Sequence, residues 1–224
     1  MNTVSIVFFD AGGTLLEAHP PMSEVYTAAG RRYGLRIEDT DAVVQAFAAT
    51  FRRKKLDGQV QNKAWWREVV DGTFRRFGEA TDPDALFDDL YDHFHHPSSW
   101  RLFDDAADVV REVRSRGYRT GLLSNWDDRL PDLLAGLGVL ELLDPAVISF
   151  RVGVEKPHPR IFETALAEAG VEPHQALMVG DDWEADVLGA RAAGMQAVYV
   201  ERYGQAAPDG RSVLHLSEIL EHLP

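Results

Sequence analysis

Val4 to Phe9 is apolar almost without interruption, too short and too uniform for an amphipathic helix, and the run predicts a strand buried on both faces. From Pro21 to Phe94 the apolar positions recur instead at helical spacing. They predict helices over Met22 to Arg32, Asp39 to Lys55, Lys63 to Phe77 and Pro83 to Phe94, the last announced by Asp82 as N-cap and Pro83 at the first helical position. No strand is predicted between them.

Beyond Pro97 helices and strands alternate. The predicted helices are Asp105 to Arg116, Asp128 to Leu137, Pro159 to Ala169 and Trp183 to Ala193, with Gly117, Gly170 and Gly194 placed to close three of them as left-handed caps. The predicted strands are Tyr118 to Leu123, Ala146 to Ser149, Ala176 to Val179 and Gln196 to Val200. Such alternation implies a parallel sheet with right-handed crossovers. The expected architecture is therefore α/β: a Rossmann-like three-layer parallel-sheet core from residues 1–17 and 98–224, with an all-helical cap subdomain, residues 18–97, inserted after the first strand. Trp65 and Trp66 fall in the insertion, where large aromatics are expected to form the core.

A chain of 224 residues has room for one sizeable core and an accessory subdomain. It contains no Cys, which excludes disulfides, thiolate metal sites and Cys nucleophiles. The formal net charge of −13 disfavours nucleic acid and anionic membranes as partners. Residues 18–97 hold 11 of the 23 basic side chains against 13 of the 36 acidic ones, so the insertion is nearly neutral and favours a small anionic metabolite as ligand. Met1-Asn2-Thr3 supplies no basic leader region, and no apolar run nears the roughly 20 residues of a membrane helix. A cytoplasmic monomer or homodimer is expected.

Polar groups follow the predicted strands. Asp10-Ala11-Gly12-Gly13-Thr14 follows the first and Ser124-Asn125 the second; Val152-Gly153-Val154-Glu155 leads into Lys156-Pro157, and Gly180-Asp181-Asp182, with Asp186 beyond, follows Leu177 to Val179. A parallel sheet gathers the carboxyl ends of its strands along one edge, which lets these groups converge. Singly, each has an ordinary structural use: Asp10 ends a strand, Thr14 and Ser124 cap turns, Lys156 is solvated, and Asp181 and Asp182 open a helix. Together they suit phosphoryl transfer. Asp10 is the carboxylate nucleophile, Asp10 and Asp181 offer hard oxygens to Mg²⁺, and Ser124 and Lys156 face the oxygens of the transferring group. Gly12 and Gly13 let the backbone approach a phosphate closely.

The four segments together resemble the motifs of the haloacid dehalogenase (HAD) hydrolase superfamily with a helical cap of the first type, over nearly the whole chain. The resemblance implies catalytic roles for Asp10, Thr14 and Lys156, and substrate or phosphate binding by Ser124, Asn125, Lys156, Gly12 and Gly13. It also implies a Mg²⁺ site from Asp10, the Gly12 carbonyl, Asp181 and Asp186, the last serving the metal or supporting Lys156. Two departures stand out. Phosphatases of the family resemble Asp-x-Asp, whose second Asp protonates the leaving group and later activates water, and here that position is Gly12. His158 replaces the Asp of the usual Lys-Pro-Asp-Pro, which predicts a weaker cap for the helix at Pro159.

These features predict a Mg²⁺-dependent hydrolase of a small phosphorylated metabolite, acting through an aspartyl phosphate at Asp10 and slowed ~10²–10⁴-fold by the missing acid. A 2-haloacid dehalogenase also tolerates a non-acidic residue at position 12, because halide leaves unprotonated, yet it has no use for a Mg²⁺ cluster. A phosphonatase would need an imine-forming amine from Lys54 or Lys55, in a run, Arg52 to Lys55, that reads as a solvated helix face. A non-catalytic ligand-binding protein is compatible with the same residues. Gly12→Asp is expected to raise turnover unless Gly12 has a positive φ. His93, His95 and His96 read as surface residues.

Overall fold

The computed structural model describes residues 4–204 and 206–223, so the leader reading at Met1-Asn2-Thr3 lies outside the described residues. The chain forms two compact units, Met1–Glu17 with Leu102–Pro224, and Ala18–Arg101. It runs through β1 (Ile6–Phe9) and β2 (Leu16–Ala18) into α1 (Met22–Arg32), α2 (Thr40–Lys55), α3 (Lys63–Phe74) and α4 (Pro83–His93), then returns through β3 (Trp100–Leu102), the partner of β2. There follow α5 (Ala106–Ser115), β4 (Arg119–Ser124), α6 (Leu130–Gly136), β5 (Ala146–Ile148), α7 (Ser149–Val152), α8 (Pro159–Ala169), β6 (Ala176–Gly180), α9 (Gly189–Ala192), β7 (Gln196–Val200) and β8 (Ser212–Val213).

In the helical unit short polar side chains start three of the four helices. Asp39 accepts from the Asp41 N–H, Asn62 from Trp65 and Asp82 from Ala85. The apolar faces meet around Tyr26, Val43, Val70, Phe74, Leu86 and Leu90. Trp65 is buried and packs edge-on against Trp66, with ring centroids 5.0 Å apart, so the pair belongs to packing. One expectation here is overturned. Lys54 is not on a solvated face: it is buried, with Nζ 2.7 Å from Glu68 and 3.1 Å from Asp57. His95 and His96 are exposed and His93 is half-buried.

The other unit is built on a six-stranded sheet in the order β5-β4-β1-β6-β7-β8, every pairing parallel. β1 is central and wholly buried. Its Ile6 and Phe8 join Ile161, Phe162, Ala165 and Leu166 of α8 in one core, while Val7 and Phe9, equally buried, alternate to the opposite face. Phe9 is in register with Leu122 of β4 on one side and Val179 of β6 on the other. Neighbouring strands thus end level with β1, and the chain leaves them in opposite directions, the switch point at which open α/β sheets bind ligands.

Two local expectations change. Val152 to Glu155 is not a strand: α7 ends at Val152, and Gly153, with φ +81°, turns the chain toward Lys156. The helix at Trp183 begins as a π-helix through Leu188 before α9, with the Val187 N–H reaching back to the Asp182 carbonyl. His158 does cap α8, its Nδ1 accepting from the Arg160 N–H at 3.2 Å. No helix among the described residues is long and apolar enough to cross a membrane.

Candidate active site

Asp10 leaves β1 with its N–H still bonded to the Val179 carbonyl at 2.9 Å, which fixes the nucleophile candidate to the end of β6. The chain then coils tightly, the Leu15 and Leu16 N–H groups both donating to the Ala11 carbonyl. Gly13 carries the positive φ of this turn, +78°, and a Cβ there would lie 2.1 Å from Asp181 Oδ2. Gly13 therefore makes room for a carboxylate. Gly180 does the same for Asp186. Thr14 is buried and donates from Oγ1 to Asp181 Oδ1 at 3.2 Å, so it orients the metal-ligand candidate.

Lys156 is the single buried cation among these acids. Its Nζ donates to Asp10 Oδ1 at 2.8 Å and to the Leu123 carbonyl at 2.7 Å, and lies 2.6 Å from Asp186 Oδ1. Burial works against the charged amine, but Asp10 and Asp186 outweigh it and hold the ammonium above the ordinary lysine range. Asn125, expected to bind phosphate, is bonded to the Lys156 backbone. Its Oδ1 accepts from the Lys156 N–H at 2.7 Å and its Nδ2 donates to the Lys156 carbonyl at 2.9 Å, which commits both ends of the amide to positioning the lysine. Ser124 Oγ is buried at the end of β4 without a hydrogen-bond partner among the described residues, a donor left for an incoming acceptor.

Asp10, Asp181 and Asp186 bring a carboxylate oxygen each within 4.8 Å of one another. Burial first, and then neighbouring carboxylates, push Asp181 well above the usual carboxylate range. Burial also raises Asp186, against the pull of Lys156. Such a set of hard oxygens, costly to ionise together, fits a divalent cation. Asp186 fits the lysine better than the metal, because Oδ2 accepts from the Asp182 N–H at 3.0 Å while Oδ1 faces Lys156.

A model of haloacid dehalogenase-like hydrolases matches residues 4–194. The chain belongs to this family of hydrolases. Among curated proteins it is 36% identical to human haloacid dehalogenase-like hydrolase domain-containing protein 3, covering 88% of this chain and 82% of the relative. It is 32% identical to a phosphoserine phosphatase of Thermus thermophilus, covering 89% of each. Among solved structures, one described as a dehalogenase superposes with a TM-score of 0.75 at 24% identity over 99% of this chain and 97% of that one, a likeness of fold.

Two residues of this HAD-family hydrolase escaped the motifs. Arg202, in the loop after β7, donates from Nη2 to the Thr14 carbonyl at 3.2 Å and to Asp105 Oδ1 at 2.8 Å, with its guanidinium 4.1 Å from the centroid of Phe103. It braces the Asp10 turn from behind, and no local signal marks a lone Arg in a loop. Trp126 is the other. A Cβ on Gly12 would sit 2.9 Å from Trp126 Cζ3, and Gly12, unlike Gly13, has no positive φ. The backbone at position 12 accepts any residue; the indole fills the space.

Proposed function

We propose that this hydrolase transfers the phosphoryl group of a small phosphorylated metabolite to water, with Asp10 as nucleophile and Mg²⁺ as cofactor. The observation that carries the reading is charge: Asp10, Asp181 and Asp186 cluster together, and one ammonium, Lys156, contacts the first and last of them, which leaves two negative charges for a divalent cation to balance once all three ionise. Asp10, Asp181 and the Gly12 carbonyl would hold the ion. When bound, Mg²⁺ supplies Lewis-acid stabilisation of charge on the phosphoryl oxygens.

Asp10 attacks phosphorus through a carboxylate oxygen, the ester P–O bond breaks, and the leaving oxygen keeps the electron pair. Lys156 holds Asp10 in place through its Nζ, and the Ser124 hydroxyl donates to a phosphoryl oxygen. Water then attacks the phosphorus of the aspartyl phosphate, releasing inorganic phosphate and restoring Asp10. Gly12 supplies no proton to the first step and no base to the second, so good leaving groups are favoured and the covalent intermediate is long-lived.

Dehalogenation would leave the acidic cluster without a purpose. Of the two amines phosphonatase chemistry would draw on, Lys54 is engaged, because the bond to Glu68 holds it above the ordinary lysine range. Hydrolysis of phosphate esters, acyl phosphates and 2-haloacids, measured with Mg²⁺ and with chelator in wild type and Asp10→Asn, tests the reading. Mg²⁺-dependent phosphate release that Asp10→Asn abolishes supports it. Chelator-insensitive halide release that needs Asp10 overturns it.

A further inference from the structure

Residue 12 lies three positions beyond the end of β1 and residue 126 two beyond the end of β4, its parallel neighbour. The indole of Trp126 projects to where a side chain on residue 12 would begin, 2.9 Å from its Cβ. The backbone at Trp126 is held on both sides. The Trp126 N–H donates to Ser149 Oγ at 3.1 Å, the Ser149 hydroxyl donates back to the Trp126 carbonyl at 3.1 Å, and the Phe150 N–H adds a third bond at 3.3 Å. On the far side, buried Asp127 grips Arg129 through paired bonds of 2.9 and 2.7 Å. Trp126 is half-buried.

We infer that Trp126 is a specificity-determining residue: it excludes any side chain at position 12 and sets an apolar aromatic wall beside Asp10 for the leaving group. The inference rests on the phosphoryl-transfer reading of the site. A wall of this kind donates no proton, so a leaving group in contact with it must depart as a stabilised anion. A planar, delocalised group meets both demands, because it packs against the indole and spreads the charge of its own oxygen. The substrate class is aryl, enol and similar unsaturated phosphates, ahead of alkyl phosphates such as sugar phosphates. The same contact makes Gly12 and Trp126 one unit, since neither tolerates a larger partner.

The test is a double-mutant cycle of Gly12→Asp and Trp126→Ala, with Trp126→Phe as a milder second variant, measured in both thermal stability and activity. Trp126→Ala should raise KM for p-nitrophenyl phosphate about 3- to 10-fold, the worth of one aromatic contact, and leave KM for glucose 6-phosphate within about 2-fold. Trp126→Phe should keep most of the aryl preference. Gly12→Asp alone should lower Tm and bring no gain on glucose 6-phosphate, whereas in the Trp126→Ala background it should cost little stability and raise that activity, by up to ~10²–10⁴-fold if the acid is recovered. Equal KM changes on the two substrates, or additive stability effects in the cycle, overturn the inference. If no variant exceeds Asp10→Asn on any phosphate, the phosphoryl reading fails, and the stability coupling alone still decides whether Trp126 and position 12 exclude each other.

Discussion

Removing the Lys156 ammonium would leave Asp10 and Asp186 in a buried site with no cation between them. Lys156→Ala should therefore destabilise the protein by about 3 kcal/mol in urea unfolding without Mg²⁺, and unchanged stability would show that the carboxylates do not depend on it. Asn125→Ala breaks both hydrogen bonds to the lysine backbone. It should lower stability by about 1–3 kcal/mol and depress kcat, because the amide positions Lys156. Asp10, Ser124 and Asp181 were legible in the chain because each stands at or beside a strand end, whereas Lys156 follows a helix and a turn and was marked only by its motif. The uses of Asn125 and Trp126 were not legible. Both are settled by a partner remote in sequence, Lys156 for one and Gly12 for the other, and no pattern local to residues 125 and 126 names either.

Among elements, the helices were the more readable. α1 and α8 span the predicted residues, and α2 differs only in that Asp39 is its cap. β2, β3 and β8 were missed because strands of two or three residues carry no periodicity, and the π-helix at Trp183 because one extra residue in a turn leaves the apolar spacing nearly intact. Asp105 shows how an element's start can serve a distant segment. It was expected only to open a helix, yet its carboxylate accepts from Arg202 and, at 2.6 Å, from the Leu216 N–H, anchoring the C-terminal 3-10 helix Leu216–Glu221. Burial alone would raise Asp105, but the guanidinium and the N–H outweigh it and hold the carboxyl below its usual range. A carboxyl lower in the folded than in the unfolded state stabilises above its unfolded value and loses that contribution as pH falls through the folded one. Asp105→Asn should accordingly lower Tm at pH 7, with the gap to wild type narrowing as pH drops below about 4. A gap that is constant with pH would show that hydrogen bonding alone, not charge, makes the anchor.

At the scale of the whole molecule the chain divides as Ala18–Arg101 and the remainder, each with its own apolar core. The core unit concentrates negative charge at the exits of β1 and β6, and a cation bound only by the native state stabilises it by mass action. At 100 times its Kd, Mg²⁺ should add about 2.7 kcal/mol, seen as a rise in Tm, and Asp181→Asn should remove most of that increment. His93, His95 and His96 lie in the other unit, and their replacement should leave the increment unchanged.

The central claim is that Asp10 carries the phosphoryl group, and acid-quenched single turnover of p-nitrophenyl phosphate with Mg²⁺, followed by peptide mass analysis, tests it most directly. With no acid or base at position 12 the intermediate should accumulate, giving the peptide that contains Asp10 a mass gain of one phosphoryl group, absent in Asp10→Asn. Phosphate release at full rate from Asp10→Asn, with no adduct on the wild-type peptide, would contradict it.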